Sequence, residues 1–436
     1  MSEPSIAPEV QPPTRRTMRH RVLVKLGTIL VLALLLLIPL WLLVPVVEDR
    51  ALLRTGVVQD IERGWGQSQT IIGPVLVVPT DHGIAYAFPD ELKVTAGLAP
   101  EERRRGIYAA IVYTARLELA GTFHRPTPAE LGIAAEQIHW DRAYLSVAVS
   151  DLRGTGTQVM LKWGAADQAM LPGSLLDRWP SGLHAPIAIT DGAIPFTLAL
   201  PIRGSEGIHF APLGIHNAVA IHSPWKNPSF TGAFLPGTRE VSDDGFAATW
   251  DVSYYGRDFG QVGSGELPHG IESSLFGVDL LPGIDSYRCV DRAVRYGVLF
   301  VVLAFMSFFL FEVVAKARIH PFQYAMIGLA LGVFFLILLA LSELVPFAIA
   351  YSSAAAGTIG LVVTYMLPVL ETGRRTSIAA ALLGASFAVL WIVLQAEDYA
   401  LLAGSLVVFA ALAVTMRLTR KLDWYAEDAS PVDKPA

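Results

Sequence analysis

The sequence has very little cysteine: Cys289 is the only one in 436 residues. This excludes a disulfide within the chain. A domain of the size predicted below buries enough apolar surface to fold without one. We interpret Cys289 as a passive residue near a membrane segment rather than as a nucleophile.

The sequence also lacks the short motifs of common catalytic centres. It contains no His-Glu-x-x-His, no Gly-x-Ser-x-Gly, no phosphate loop and no dinucleotide-binding fingerprint. Ser223 and Lys226 have the Ser-x-x-Lys spacing of penicillin-recognising enzymes, where one helical turn joins the two side chains. Here Pro224 and Pro228 favour an extended or turn segment instead, and the partner motifs of those enzymes are missing.

Three histidines, His209, His216 and His222, are close enough in sequence to suggest a metal site if neighbouring strands aligned them. Metal sites normally use tighter pairs of histidines or add a cysteine or carboxylate. We therefore expect surface or core histidines here. No catalytic, cofactor-binding or metal-binding residue is predicted.

Six long stretches lack charge and could each span a bilayer, since a spanning helix needs about 20 apolar residues. The second reaches that length by continuing through Glu312. The six runs are Leu26–Val47, Tyr296–Phe311, Pro321–Ser342, Leu344–Leu370, Thr376–Ala396 and Tyr399–Met416. The first is too long for the hydrophobic part of a signal peptide and is followed by no small-x-small cleavage site, so we interpret it as an uncleaved anchor.

Positive charge is missing from one side of these six runs. All thirteen lysines and arginines outside 48–295 fall on the same side of the membrane as the N-terminus. The ends of the runs on the other side carry only Glu343, Glu397 and Asp398. The positive-inside rule then predicts cytoplasmic N- and C-termini and a periplasmic or extracellular position for 48–295. This segment has 28 acidic and 20 basic residues, a balance that argues against nucleic acid and against binding to anionic lipid headgroups.

The segment 48–295 has the pattern of a mainly antiparallel β domain, as two stacked sheets or two subdomains. Apolar residues first recur every four positions from Leu53 to Trp65, which predicts a helix that continues out of the membrane. Strand and turn signals follow, including hairpins over 74–88 and 238–255, with a short helix over 128–137. The fold class is an α+β membrane protein: a disordered tail (1–20), an anchor helix (21–47), the β domain (48–295), a five-helix bundle (296–420) and a second tail (421–436).

Ionisable residues within the membrane runs are costly and so point to function by default. Glu312 and His320 lie near the cytoplasmic ends of the second and third runs. Glu343 is 23 positions beyond His320, on the other side of the membrane. It is also interpretable as a helix cap that reaches the interface. The small residues of Gly328–Gly332 and Ser352–Gly357 indicate close helix packing, in a tight bundle or in a homodimer.

Several longer motifs resemble the CreD family of bacterial inner-membrane proteins. The motifs of the membrane part are Phe308–Glu312, Ile319–Tyr324 and Leu341–Glu343; those of the soluble part are Trp65 with Gly73–Pro79, Leu145–Gly154, Trp225 with Pro228–Phe230, Gly232–Pro236 and Phe276–Val278. The resemblance covers roughly residues 20–420. It implies an inner-membrane protein linked to envelope integrity, to the Cre two-component system and to tolerance of colicins and β-lactams, and it supplies no catalytic residue.

Three functions are compatible with this sequence. The first is a non-enzymatic envelope-maintenance protein whose outer domain contacts a periplasmic protein, peptidoglycan or lipid. The second is a small transporter or lipid-handling bundle, and the third is a membrane-bound hydrolase. Candidate residues of functional or structural importance are Trp65, Asp151, Arg153, Trp225, Glu312, His320 and Glu343.

Overall fold

The structure is a computed structural model that describes residues 16–156, 158–282, 286–315, 319–370, 372–396 and 399–420. Two compact units divide the chain: the β-rich unit, Leu53–Gly283, and a helical unit formed by the flanking regions. The predicted tails 1–20 and 421–436 lie outside the described residues, except that the first helix begins at Arg16.

The helices are long and apolar in the helical unit and short in the β-rich unit. In chain order they are α1 (Arg16–Trp65), α2 (Pro128–Leu131), α3 (Gly270–Ser273), α4 (Ser286–Ala315), α5 (Pro321–Ser342), α6 (Phe347–Leu370), α7 (Gly373–Gln395) and α8 (Ala400–Thr419). Six of the described helices, all except α2 and α3, are long and apolar enough to cross a membrane. The predicted anchor and five-helix bundle are confirmed.

Seventeen strands make up the β-rich unit in the described ranges. They are β1 (Gln69–Thr80), β2 (Gly83–Ala87), β3 (Glu91–Arg105), β4 (Tyr108–Phe123), β5 (Tyr144–Val149), β6 (Met160–Trp163), β7 (Ala166–Ala169), β8 (Leu171–Pro172), β9 (Gly182–Pro186), β10 (Ile194–Ser205), β11 (Gly207–Phe210), β12 (His216–Ser223), β13 (Pro228–Gly232), β14 (Thr238–Ser242), β15 (Gly245–Ser253), β16 (Val262–Ser264) and β17 (Phe276–Leu280).

The strands form two sheets. The nine-stranded sheet has the order β13-β17-β11-β1-β5-β9-β8, with β2 paired to β1 and β16 paired to β2. The eight-stranded sheet has the order β14-β15-β12-β3-β4-β10-β6-β7. Of the pairings between described strands, β1 with β11 and β3 with β12 are parallel and the others are antiparallel. The predicted, mainly antiparallel pattern is confirmed.

One apolar core is shared by the two sheets. Strands of the eight-stranded sheet alternate buried and more exposed residues, as in β12, where Val219 and Ile221 are buried between exposed or half-buried neighbours. Strand β1 of the other sheet is buried along nearly its whole length. Val75 and Val77 face a second cluster while Leu76 and Val78 face the main core, so β1 is covered on both faces.

Local sequence signals explain the short connections. The two predicted hairpins are β1–β2, where Thr80 pairs with Gly83, and β14–β15, where Ser242 pairs with Gly245. The predicted helix over 128–137 is divided instead. Helix α2 has a capping box from Thr127 and ends at Gly132, whose left-handed φ of 66° stops it; a 3₁₀ turn follows.

The helical unit has an aromatic core of its own. Phe300, Phe334 and Phe387 place rings from α4, α5 and α7 within 4.8–6.1 Å of one another. The glycine motif of α5 acts within this unit, because a Cβ atom on Gly328 would meet Leu36 of α1 and Phe305 of α4. Half of the predicted Gly-x-x-x-Gly motif is therefore used for packing inside the bundle.

Candidate functional site

The seven candidate residues lie in four places. Trp65, Asp151 and Arg153 come together where the chain enters the β-rich unit, and Trp225 lies where the chain leaves it. Glu312 and His320 lie at the connection between α4 and α5, and Glu343 lies at the end of α5. The first two places lie at the same end of three neighbouring strands of the nine-stranded sheet. We call this end the entry–exit edge; it consists of the start of β1, strand β11 and the end of β17.

The entry is organised by a buried glutamine that the sequence did not single out. Gln69 is fully buried, and its side-chain amide donates to the carbonyl oxygens of Asp151 at 3.0 Å and Arg203 at 2.7 Å. Its side-chain oxygen accepts the N–H of Asp151 at 3.3 Å. One side chain therefore joins the start of β1 to the loop after β5 and to β10.

Asp151 forms a tight corner after β5. Its carboxylate accepts the N–H of Arg153 at 2.9 Å and pairs with the Arg153 guanidinium at 3.1 Å. It also accepts the N–H of Gln67 at 3.4 Å. The Arg203 side chain packs against this corner at Gly154. Gly154 has a left-handed φ of 87°, and a Cβ atom there would collide with Arg203. Asp151 and Arg153 thus have a demonstrable structural role.

Trp65 is the last residue of α1 and contacts residues of three strands, β3, β4 and β10. Its indole N–H donates to the carbonyl oxygen of Tyr113 at 3.2 Å. The guanidinium groups of Arg103 and Arg203 lie over its ring at 4.0 and 4.5 Å from the centroid. Each such cation–π contact is worth about 0.5–1 kcal/mol at an exposed site. Arg103 also pairs with the Glu101 carboxylate at 2.8 Å, so its guanidinium contacts both an acid and the indole ring.

The exit is held by the second tryptophan. The Trp225 indole N–H donates to the carbonyl oxygen of Leu281 at 2.8 Å, immediately after β17. Entry and exit are linked through Tyr113, whose hydroxyl donates to the carbonyl oxygen of Gly207 at 2.7 Å. Gly207 begins β11, and β11 lies between β1 and β17. Burial, reinforced by Asp279, raises the pKa of Tyr113, so its hydroxyl remains a donor.

A polar triplet lies on the same edge. The Nε2 atom of His209 is 3.1 Å from the Thr231 hydroxyl, which in turn donates to the Asp279 carboxylate at 2.9 Å. Burial lowers the pKa of His209, against the opposing effect of Asp279. The same imidazole nitrogen faces both partners, unlike a catalytic triad, where the base uses its two nitrogens for nucleophile and acid. This triplet ties β11, β13 and β17 together.

In the helical unit, Glu312 is buried and hydrogen-bonded. Its carboxylate accepts the Tyr324 hydroxyl at 2.9 Å and the N–H of Ile319 at 3.3 Å. His320 is the N-cap of α5: its Nδ1 accepts the N–H of Phe322 at 3.2 Å. These bonds join the end of α4 to the start of α5. Tyr324 lies within a motif quoted above, but no periodicity or spacing marks it as the partner of Glu312.

Glu343 is the C-cap residue of α5, as its interpretation as a helix cap predicts. Its carboxylate lies 3.6 Å from the Arg50 guanidinium on α1. The contact is partly exposed, and such pairs contribute about 0–1 kcal/mol. Glu312 contacts residues at the start of α5, whereas Glu343 lies at the opposite end of that helix, so the two carboxylates do not form one site.

The weaker sequence signals form no reactive centre in the described part of the chain. The Ser223 hydroxyl accepts the N–H of Trp225 at 3.3 Å, while Lys226 pairs with Asp243. No group of three or more histidine, cysteine or acidic residues suited to a metal is found among the described residues. A shallow depression of about 400 Å³ on the eight-stranded sheet has His216 in its lining, beside Glu91.

Comparison with known proteins identifies the family. A sequence model described as "Inner membrane protein CreD" matches residues 21–425. The chain belongs to the CreD family. Inner membrane protein CreD of Escherichia coli (strain K12) is 32% identical over 415 residues, which cover 90% of this chain and 91% of that protein. The sequence-based resemblance is confirmed, and this CreD-family chain is an inner-membrane protein with six membrane-spanning helices.

Proposed function

We propose that this CreD-family protein supports cell-envelope integrity and tolerance of envelope stress without catalysing a reaction. In this proposal the termini are cytoplasmic and the β-rich unit is periplasmic, which accords with the thirteen cationic side chains on one side of the six runs. The β-rich unit contacts a periplasmic protein, peptidoglycan or lipid. The link to the Cre two-component system belongs to the same proposal and comes from the family resemblance.

The observation that carries the proposal is the entry–exit edge. The family motifs around Trp65, Asp151 and Trp225 fix how the chain enters and leaves the β-rich unit. Their polar groups are occupied by backbone carbonyls and N–H groups, which is what a structural connection requires. A nucleophile, base and oxyanion donor arranged around a cleft would be needed for hydrolysis. The best-defined motif residues instead join strands, helices and loops.

Complementation tests this function. The full chain is expressed in a strain that lacks this protein and shows an envelope defect, and resistance to envelope-directed agents is scored. A second strain carries residues 48–295 on an unrelated single anchor helix at matched level, with export and folding checked by protease resistance. We expect the full chain to rescue the defect.

The displayed domain separates the alternatives. Rescue by the domain alone places the activity in the β-rich unit and sends the search to periplasmic partners. If the full chain rescues the defect and the displayed domain does not, part of the activity belongs to the helices, which favours the transporter or lipid-handling function. Hydrolysis of an envelope substrate by purified full-length protein, abolished by one point mutation, would refute the non-enzymatic proposal.

A further inference from the structure

The last two turns of α1 bury an acidic side chain against the β-rich unit. Glu62 is 8% exposed although it belongs to a helix whose neighbouring residues Asp60 and Arg63 are exposed. Among the described residues, no hydrogen-bond donor or cation is paired with its carboxylate. A buried carboxylate without such a partner is strongly disfavoured in its charged form.

A second acid, Glu206, is near enough to act electrostatically on Glu62. Glu206 occupies the turn between β10 and β11 in a left-handed conformation with φ of 57°. Its N–H donates to the carbonyl oxygen of Ile111 at 3.4 Å. Ser205, the preceding residue, is fully buried, and its hydroxyl oxygen has no partner among the described residues. This surface therefore offers Glu62 a like charge and no compensating cation.

The cations near this part of α1 are otherwise engaged. On α1 itself, Arg63 pairs with Asp60 at 3.5 Å. From the end of β3, Arg105 pairs with Asp60 at 3.4 Å. Arg103 of β3 and Arg203 of β10 lie over the Trp65 ring, one helical turn beyond Glu62. These arginines therefore pair with Asp60 or lie over the Trp65 ring, and none of them pairs with Glu62.

We propose that Glu62 makes the packing of the last two turns of α1 on the β-rich unit sensitive to pH, by favouring this packing when its carboxyl group is protonated and opposing it when the group is ionised beside Glu206. The inference goes beyond the proposed function, because it requires neither a partner nor a role in the envelope. It concerns the helix that also carries the first membrane-spanning segment.

The direction of the effect follows from linkage. Burial, with a further contribution from Glu206, raises the pKa of Glu62 from 4.5 to about 7 in the packed state. An unpacked, solvated Glu62 has the ordinary pKa. Packing is therefore fully favoured below the ordinary pKa, and this advantage is lost as the pH rises through about 7. Linkage gives a change of roughly 70-fold in the packing equilibrium between about pH 5 and about pH 8.5.

Hydrogen–deuterium exchange on the full chain in lipid nanodiscs tests the proposal. Exchange of the backbone amides over 58–66 is measured at several pH values and corrected for the intrinsic pH dependence of exchange. We expect protection in the unmodified chain to fall by a factor of roughly 70 from about pH 5 to about pH 8.5. Glu62→Gln should keep high protection at every pH.

Two further variants keep the test decisive. Glu206→Gln removes the like charge, so the midpoint of the transition should move to lower pH without disappearing. Glu102→Gln is the matched control: the same change at an exposed residue that pairs with Arg104, which should leave the transition unchanged. Protection in the unmodified chain that is independent of pH would overturn the proposal. So would a Glu62→Gln chain that folds and retains the transition, or a Glu206→Gln chain whose midpoint does not move.

Discussion

Replacing Gln69 by leucine should destabilise the β-rich unit more than any polar-to-apolar change of equal size on its surface. The side chain is fully buried and makes three hydrogen bonds, two to Asp151 and one to Arg203. Leucine fills a similar volume but leaves the buried N–H and carbonyl groups of Asp151 without this partner. Each buried group left unsatisfied costs about 1–3 kcal/mol, so the expected loss is about 2–5 kcal/mol.

The measurement is thermal unfolding of the full chain in detergent, followed by proteolysis and mass spectrometry of peptides from 53–283. For a unit of this size, a loss of 1 kcal/mol lowers the midpoint by about 2–4 °C, so Gln69→Leu should lower it by about 4–20 °C. Gln67→Leu is the matched control. The Gln67 side chain is exposed, and only its backbone N–H and carbonyl make the contacts to Asp151 and Ser205. A Gln69→Leu midpoint within about 2 °C of this control would refute the reasoning.

Two further predictions concern other parts of the molecule. Tyr324→Phe removes the hydroxyl that donates to Glu312 at 2.9 Å and should destabilise the helical unit by about 1–3 kcal/mol, measured by size-exclusion chromatography after heating; Tyr365→Phe, a partly exposed tyrosine on α6, is the control, and equal losses would contradict the prediction. Gly121→Ala should prevent folding of the β-rich unit, because its Cβ atom would meet the carbonyl oxygen of Glu91. Gly156→Ala, with nothing within 4 Å of the added atom, should be tolerated, and equal yields of protease-resistant protein would show the reasoning wrong.

Features set by neighbouring residues were predictable from the sequence. The four-residue spacing from Leu53 to Trp65 correctly extended the first helix beyond the membrane run, and α1 ends at Trp65. Gly56 and Gly64 lie inside this helix, where each weakens it by up to about 1 kcal/mol relative to alanine without ending it. The Asp151 corner was also predictable, because an aspartate two residues before an arginine can bond its N–H locally.

Contacts between distant segments were not predictable. The parallel pairing of β1 with β11 joins residues more than 130 positions apart, and a single sequence contains no signal for it. Nothing in the local sequence marks Gln69, whose burial depends on the loop after β5 and on β10. The burial of Glu62 is likewise not predictable from the helical spacing of α1.

The two tryptophans of the family motifs show how local and distant information combine. Each donates a hydrogen bond from its indole N–H to a backbone carbonyl oxygen. The acceptor is Tyr113 for Trp65 and Leu281 for Trp225. Only β11 separates β1 from β17, so entry and exit lie about 10 Å apart at the usual strand spacing. Separating the two connections would require breaking both the β11 ladder and the Tyr113–Gly207 bond at its start. Since ladder bonds break cooperatively, a disturbance at either connection reaches the other through Tyr113 and the single strand β11. The envelope phenotype of variants at Trp65 and Trp225 should therefore be non-additive, as expected of residues that stabilise one shared edge.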